Sequence, residues 1–390
     1  MEFIDLKAQQ KQLTKKGITL REDIEKRIQC VLDHGKYILG PEVAQLEAEL
    51  SDYVGVKHCI AVSSGTDALL IALMALEIRP GDEVITTPFS FFSTVETIML
   101  LGAKPVFVDI DKQTYNIDPR KIEVAITKKT KAILPVSLYG QPADFKSINQ
   151  LANAYKIPVI EDGAQSFGST HHYQRSGALS YIGTTSFFPS KPLGCYGDGG
   201  ACFTNDDFIA KNMREISLHG QNKRYSHNQL GLNGRLDTIQ AAVLLAKLNL
   251  FDNEVENRKI IGFRYTKKLN DAGFLNTPFI SEENTSVFAQ YTIQVDNREK
   301  IINELRSKGI PTSVHYPTLL SDQRALNKPQ KGSYLFFNKI LNRNIFKSHK
   351  INNAKNISSK VLSLPMHPML SEDDQNLIID SLINVLNLVN

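Results

Sequence analysis

Four short segments of this chain hold residue types that could do chemistry together. The first is Ser186-Phe187-Phe188-Pro189-Ser190-Lys191-Pro192-Leu193-Gly194, a lysine bracketed by aromatics, prolines and glycine. Such neighbours do not belong to a solvated helix face, so the amine is expected to be partly desolvated. Desolvation disfavours the ammonium and leaves a nucleophile toward aldehydes. The second is Pro158-Val159-Ile160-Glu161-Asp162-Gly163-Ala164-Gln165, which puts Asp162 at the carboxyl end of an apolar run. Open α/β sheets bind ligands outside the carboxyl ends of their strands, so Asp162 could pair with a cationic ring nitrogen. An N-cap for the next segment is its other available role.

The third segment, Ser63-Ser64-Gly65-Thr66-Asp67-Ala68-Leu69, follows the strand-like Cys59-Ile60-Ala61-Val62 and opens the apolar helix Ala68 to Leu76. Free N–H groups at a helix start, with the positive end of the dipole, make a site for phosphate. Capping by Ser64 or Thr66 would use the same residues. No Gly-Lys-Ser/Thr follows, so this is not a Walker loop. The fourth, Gly194-Cys195-Tyr196-Gly197-Asp198-Gly199-Gly200, is a flexible turn beside the lysine that leads into Ala201-Cys202-Phe203-Thr204. A phosphate cradle, an acid for a pyridine nitrogen, a Schiff-base lysine and a turn that presents it are, in this order, the parts of a pyridoxal-phosphate site.

These residues need a rigid frame. Short apolar runs alternate with amphipathic segments through the first two-thirds of the chain. Strands are expected at 83–86, 105–108, 132–136 and 158–161, with helices at 92–101, 119–125 and 145–155 between them. Runs of four or five apolar residues without alternation suit strands buried on both faces. Their order predicts a doubly wound α/β domain with a mostly parallel sheet. Past residue 235 the pattern changes. Helices are expected over 236–250 and 255–269, then a strand at 291–295 and helices at 299–308 and 372–386, a smaller α+β domain. The stretch 327–360, rich in Asn, Lys and Ser, reads as surface loop and variable helix. The expected division is 1–245 and 246–390, with the first residues, up to about 35, free to pack with the small domain.

Composition narrows the function. Of 390 residues, 42% are hydrophobic, enough for a sizeable core, and the net charge of +4 with no basic run gives no sign of nucleic-acid binding. The longest apolar stretch, Ala68 to Leu76, is about half a membrane span, and the acidic start Met1-Glu2-Phe3-Ile4-Asp5 does not read as a signal peptide. A cytoplasmic protein is expected. Cys30, Cys59, Cys195 and Cys202 form no metal or Cys-x-x-Cys pattern, and His171-His172 lacks a third ligand nearby, so no metal is expected.

With those motifs in hand, the chain resembles the DegT/StrS family of nucleotide-sugar aminotransferases. The matching stretches are 64–69, 80–85, 159–166, 186–200, Gly231-Leu232-Asn233-Gly234-Arg235-Leu236 and Leu364-Pro365-Met366-His367-Pro368. The resemblance implies the aspartate-aminotransferase-like fold, fold type I, with pyridoxal 5'-phosphate as cofactor. It assigns Lys191 to the cofactor-bearing lysine, Asp162 to the ring nitrogen and Gln165 to the phenolic oxygen. Gly65, Thr66 and Ser186 go to the phosphate, and Phe91 to stacking on the ring. Asn233 corresponds to an asparagine delivered from the neighbouring subunit, implying a homodimer with shared sites. Gly163 stands where relatives often have alanine. A dehydratase subgroup has histidine at the lysine position; Lys191 sets that activity aside.

The implied reaction takes an amine from glutamate, leaving 2-oxoglutarate, and gives it to a nucleotide-linked keto-sugar. The likeness to family members, carried by the shared run 219–235, implies UDP-2-acetamido-2-deoxy-3-oxo-D-glucuronate, a precursor for surface polysaccharide (O-antigen). Expected substrate residues are Arg235, His315, Tyr316 and His219, with Lys223 and Arg224 as candidates that could equally be surface charge. The competing readings are a C4 aminotransferase on a UDP- or dTDP-4-keto-deoxy-sugar, a carbon–sulfur lyase on the same fold, and a non-catalytic sensor or scaffold.

Overall fold

A computed structural model describes residues 1–327 and 345–389. The apolar runs form strands because nothing else can bury both of their faces. Glu83–Thr86, Ile182–Ser186 and Gly200–Thr204 are buried at every position. Seven strands line up in the order 104–107, 83–86, 130–134, 160–162, 182–186, 200–204, 58–62. The parallel bridges Ile133–Val159 and Val136–Asp162 join the two halves of this sheet. Only Gly200–Thr204 runs against the others, paired antiparallel to both neighbours. Lys347–Ser348 adds a short parallel edge beside Lys104–Phe107.

Helices cover both faces, as a mostly parallel sheet demands. Gly65–Ala75 and Asp207–Ser217 enclose one apolar layer with Ile60, Val84 and Ile182. Pro41–Val54 and the first half of Thr238–Asp271 enclose another. In that second layer Phe167 stacks on Phe203 and Phe251, with ring centroids 6.0 and 5.7 Å apart.

Two expected elements differ. The segment 119–125 forms two 3-10 turns, Pro119–Lys121 and Glu123–Ala125, because so short a piece gains too few bonds to offset helix nucleation. The helices expected over 236–250 and 255–269 are one 34-residue helix, Thr238–Asp271. No glycine or proline stands between them, so nothing breaks the chain of hydrogen bonds. At about 1.5 Å per residue this helix is roughly 50 Å long. It buries Leu244, Leu245 and Phe251 against the main sheet, then Ile261, Tyr265 and Leu269 in a separate core. That core is completed by the antiparallel pair Tyr291–Gln294 and Val361–Leu364 and by the helices Arg298–Ser307 and Glu372–Val389.

The N-terminal region is divided. The helix Leu20–His34 starts with a Thr19/Glu22 capping box and packs Leu20 and Ile24 on Val243, Ala246 and Leu250. Ahead of it, the carbonyl of Phe3 accepts from the Met366 N–H at 3.2 Å, which ties the chain start to the second core. The aperiodic stretch 327–360 lies partly outside the described residues; within them Asn352–Lys360 is helical. Among the described residues no helix is long and apolar enough to cross a membrane.

One buried acid has a consequence for stability. Glu161 is fully buried, accepting from Ser176 Oγ at 2.6 Å and from the Gly177 N–H at 2.8 Å. Burial pushes its carboxyl up to about 7. The folded chain therefore holds a proton that the unfolded chain has lost, and stability falls as pH rises from about 4.5 to about 7. At about 1.4 kcal/mol per pH unit, this slope amounts to roughly 3 kcal/mol. Glu161→Gln, compared with wild type by urea unfolding at several pH values, should lose that slope while keeping the fold.

Candidate active site

The cavity is built where the parallel strands end. The turn after His58–Val62 supplies Ser64, Gly65 and Thr66; the loop after Glu83–Thr86 supplies Ser90, Phe91 and Ser93; Thr130–Leu134 is followed by Val136. Asp162 is the last residue of its strand, and Ser186 the last of Ile182–Ser186, with Lys191 five residues on. From the chain beyond the long helix come Gln290, His315 and Tyr316, the last packed against the first apolar layer. Together these groups enclose about 450 Å³.

Close backbone approach shapes one wall. Ser64 caps the helix Gly65–Ala75, its Oγ accepting from the Asp67 N–H at 3.0 Å. Capping and an open helix start thus coexist: Ser64 serves Asp67, and Gly65 and Thr66 face the cavity. A Cβ on Gly65 would lie 2.5 Å from Ser186 Cβ, and one on Gly200 2.5 Å from the Ser64 carbonyl. Only glycine lets the helix start sit against these strands.

Lys191 lines the cavity, half-buried, and its N–H donates to the Phe188 carbonyl at 2.8 Å. Burial pulls its ammonium below the ordinary lysine value, with the Asp162 carboxylate opposing. Burial also raises the Asp162 carboxyl. Countering that, Thr94 Oγ1 donates to Asp162 Oδ2 at 2.9 Å and the Ala164 N–H to Oδ1 at 3.3 Å. A buried acid in this state favours a cationic partner.

The remaining polar groups are held by one another. Gln165 Oε1 accepts from the Tyr139 N–H at 2.8 Å and its Nε2 donates to Tyr316 Oη at 3.0 Å. The Tyr139 hydroxyl donates to the His315 carbonyl. His315 Nδ1 lies 2.9 Å from Ser363 Oγ, and burial, with the Lys191 charge adding, pulls the imidazole down to about 4. It is therefore neutral near pH 7. Phe91 leaves 55% of its surface uncovered, its ring 6.1 Å from that of Tyr316.

Nine of the twelve expected site residues thus meet in one cavity: Gly65, Thr66, Phe91, Asp162, Gln165, Ser186, Lys191, His315 and Tyr316. Asn233, Arg235 and His219 do not line it. Asn233 is exposed, on a segment bridged to Leu218 and, through Arg235, to Val62. Arg235 has a buried Nε without a hydrogen-bond partner. His219 is exposed. His171 has both ring nitrogens engaged: Nε2 accepts from the Lys146 N–H at 3.2 Å and Nδ1 lies 2.7 Å from Asn284 Oδ1. Cys59, Cys195 and Cys202 are buried thiols.

Sequence reasoning missed Thr94, Ser90 and Lys247. Lys247 is 3% exposed and donates from Nζ to the Gly194 carbonyl at 2.5 Å, gripping the turn after Lys191; burial pulls its ammonium to about 8. A lone lysine inside Ala241-Ala242-Val243-Leu244-Leu245-Ala246-Lys247-Leu248 was the available signal. Thr94 gave none, because its partner is 68 residues away.

The residues present fit pyridoxal phosphate. There is a helix start with no side chain in front of it, a desolvated amine, a buried acid suited to a cation and an uncovered aromatic face. Sheet order and cavity together define a fold-type-I, pyridoxal-phosphate-dependent enzyme. A model of the DegT/DnrJ/EryC1/StrS aminotransferase family matches residues 19–383, and the chain belongs to this family. It is 50% identical, over 98% of its length and 100% of the relative's, to the UDP-2-acetamido-2-deoxy-3-oxo-D-glucuronate aminotransferase of Pseudomonas aeruginosa. The crystal structure of a family aminotransferase from Brucella abortus superposes with a TM-score of 0.90 at 39% identity, covering 99% of both chains. A Bacillus subtilis structure with bound cofactor PMP does so with a TM-score of 0.86 at 33% identity, covering 99% of this chain and 85% of that one. The chain is an aminotransferase.

The glycine contact is testable. Gly65→Ala forces the helix start and Ser186 apart, a strain of about 1–3 kcal/mol. Cofactor affinity, followed by absorbance titration of the apo-protein, should fall about tenfold or more, and the melting temperature should drop.

Proposed function

We propose that this enzyme transfers an amino group from glutamate to the 3-keto group of UDP-2-acetamido-2-deoxy-3-oxo-D-glucuronate, in the supply of amino sugars for surface polysaccharide such as O-antigen. The observation that carries this reading is 50% identity to the Pseudomonas enzyme over essentially the whole of both chains.

Pyridoxal phosphate, when bound, supplies an electron sink for the carbon that loses its proton. The N–H groups of Gly65 and Thr66 and the hydroxyl of Ser186 hold its phosphate. Phe91 would cover the ring, and Gln165, oriented by Tyr139 and Tyr316, would meet its phenolic oxygen. Asp162 keeps the proton on the ring nitrogen; as an amide it could not. Lys191 would bear the cofactor through Nζ, and its freed amine would be the base that takes the proton from the donor's Cα and returns it to the cofactor carbon two atoms away, across the nitrogen. The lowered basicity of a desolvated amine suits this double use. His315 and Tyr316 meet the sugar as neutral donors and acceptors.

The enzyme acts as a homodimer with shared sites. Support comes from Asn233, exposed and outside its own chain's cavity, and from Tyr37-Ile38-Leu39, each about half exposed, with Ile38 bridged to Asp237 beside the same loop. Such an apolar run suits an isologous contact. Across the axis Asn233 reaches the phosphate, and Arg235 and His219 meet the anionic sugar nucleotide.

Three experiments test these readings. Glutamate should bleach the visible band of the holoenzyme with release of 2-oxoglutarate, and the 3-keto-uronate should restore it. Restoration by a 4-keto-deoxy-sugar nucleotide alone would move the reaction to C4, and no bleaching by any amino donor would leave a binding protein. Lys191→Ala should bind cofactor without that band and lose at least about a thousandfold in turnover, about 4 kcal/mol of barrier. For the shared site, Lys191→Ala subunits mixed with Asn233→Ala subunits should give heterodimers with one doubly impaired and one intact site, recovering about half of wild-type activity. No recovery in verified heterodimers would place Asn233 outside the partner's site.

A further inference from the structure

Asp162 is not held by the sheet alone. Its Oδ2 takes a hydrogen bond from Thr94 Oγ1 at 2.9 Å, and Thr94 Oγ1 lies 3.0 Å from Ser90 Oγ. All three are buried, Thr94 completely, Ser90 and Asp162 to 4% exposure. Thr94 has one hydroxyl proton. A carboxylate cannot donate, so that proton is committed to Asp162. Ser90 must then be the donor to Thr94, and the chain of bonds runs in one direction, Ser90 to Thr94 to Asp162. Bonds aligned in this way strengthen one another in a buried site.

We propose that Thr94, backed by Ser90, is a positioning residue for cofactor binding that acts through Asp162, fixing the carboxylate's rotamer and keeping it ionised in a site whose burial disfavours charge. The inference rests on the reading of Asp162 as the partner of the cofactor's ring nitrogen. The two carboxylate oxygens are not equivalent. Oδ2 faces Thr94 and Oδ1 has only the long 3.3 Å contact from the Ala164 N–H, so Oδ1 is the oxygen with capacity for a further donor. The titratable groups that act on Asp162 are Lys191, Tyr316 and its neighbour Glu161. Of these only Lys191 favours its charge, and Lys191 is to be consumed by the cofactor. The hydroxyl of Thr94 is then the charge-favouring contact that does not change during turnover, and it lowers the Asp162 carboxyl against the effect of burial. Phe91, in the loop just before the helix Ser93–Leu100 that carries Thr94, lies in the cavity wall, so one segment would set both the face and the edge of a bound ring.

The test is a titration of apo-protein with pyridoxal phosphate, read by visible absorbance, on Thr94→Val, Thr94→Ser, Ser90→Ala, Asp162→Asn and the double variant. Valine keeps the shape and removes the proton. Thr94→Val should raise the cofactor dissociation constant about tenfold, equal to about 1.4 kcal/mol, and Ser90→Ala about threefold. Thr94→Ser, which restores the hydroxyl, should return the affinity to within about twofold of wild type. In an Asp162→Asn background Thr94→Val should cost less than about threefold more, since the group it acts through is gone. Unchanged affinity in Thr94→Val while Asp162→Asn is impaired overturns the proposal. So does equal loss in Thr94→Val and Thr94→Ser, or full additivity in the double variant, either of which marks Thr94 as packing alone. Wild-type affinity in Asp162→Asn overturns instead the reading of Asp162 on which the inference stands.

Discussion

Removal of Lys191 and Asp162 from water is the constraint on which the rest of this structure depends. Each would be ordinary on a surface. In the cavity burial pulls the ammonium down and pushes the carboxyl up, so each charged form is costly without a partner. The architecture around them supplies limited compensation: one hydroxyl, one long backbone contact and the field of each on the other. A site of this kind suits a ligand that brings a cation to the acid and an aldehyde to the amine. The same desolvation that disfavours their charged forms is what suits the two groups to reaction.

Holding two such groups requires rigid backbone, and the sheet provides it at small cost in side chains. Parallel strands finish at one edge, so residues distant in sequence emerge side by side, each on a loop anchored by a fully buried strand. The single antiparallel strand, Gly200–Thr204, begins at that same edge and returns the chain after the lysine turn. Gly65 and Gly200 bring backbone to within contact of neighbouring strands. Lys247 reaches from the long helix to the Gly194 carbonyl, so the turn after Lys191 is held from beneath by a second, buried lysine.

The chain beyond the long helix completes the cavity with Gln290, His315 and Tyr316, and the placement of the second core follows from that one unbroken helix. Thr238–Asp271 is packed at one end on the main sheet and at the other inside the second core. The two contributions to the cavity are therefore related by a single stiff element and by the chain start, where Phe3 meets Met366 and its ring lies 6.1 Å from His315.

Most of the frame was legible in the sequence because burial on both faces leaves its mark locally. Four-residue apolar runs announced the strands, and the lysine between aromatics and prolines announced its own desolvation. The helix start at Gly65 and Thr66, and Asp162, followed from their position at strand ends. The order of the strands, the fusion of two expected helices into one, and the contacts of Thr94 and Lys247 were not legible. A helix break needs a glycine or proline to be visible, and here there was only continuity. A hydroxyl that serves a carboxylate 68 residues away looks, in the sequence, like any other threonine, and a buried lysine declares itself only by the apolar company it keeps. What the sequence determined was which residues could react; which groups surround them, and how much water is excluded, was decided by long-range packing that brings together segments with no local relation to one another.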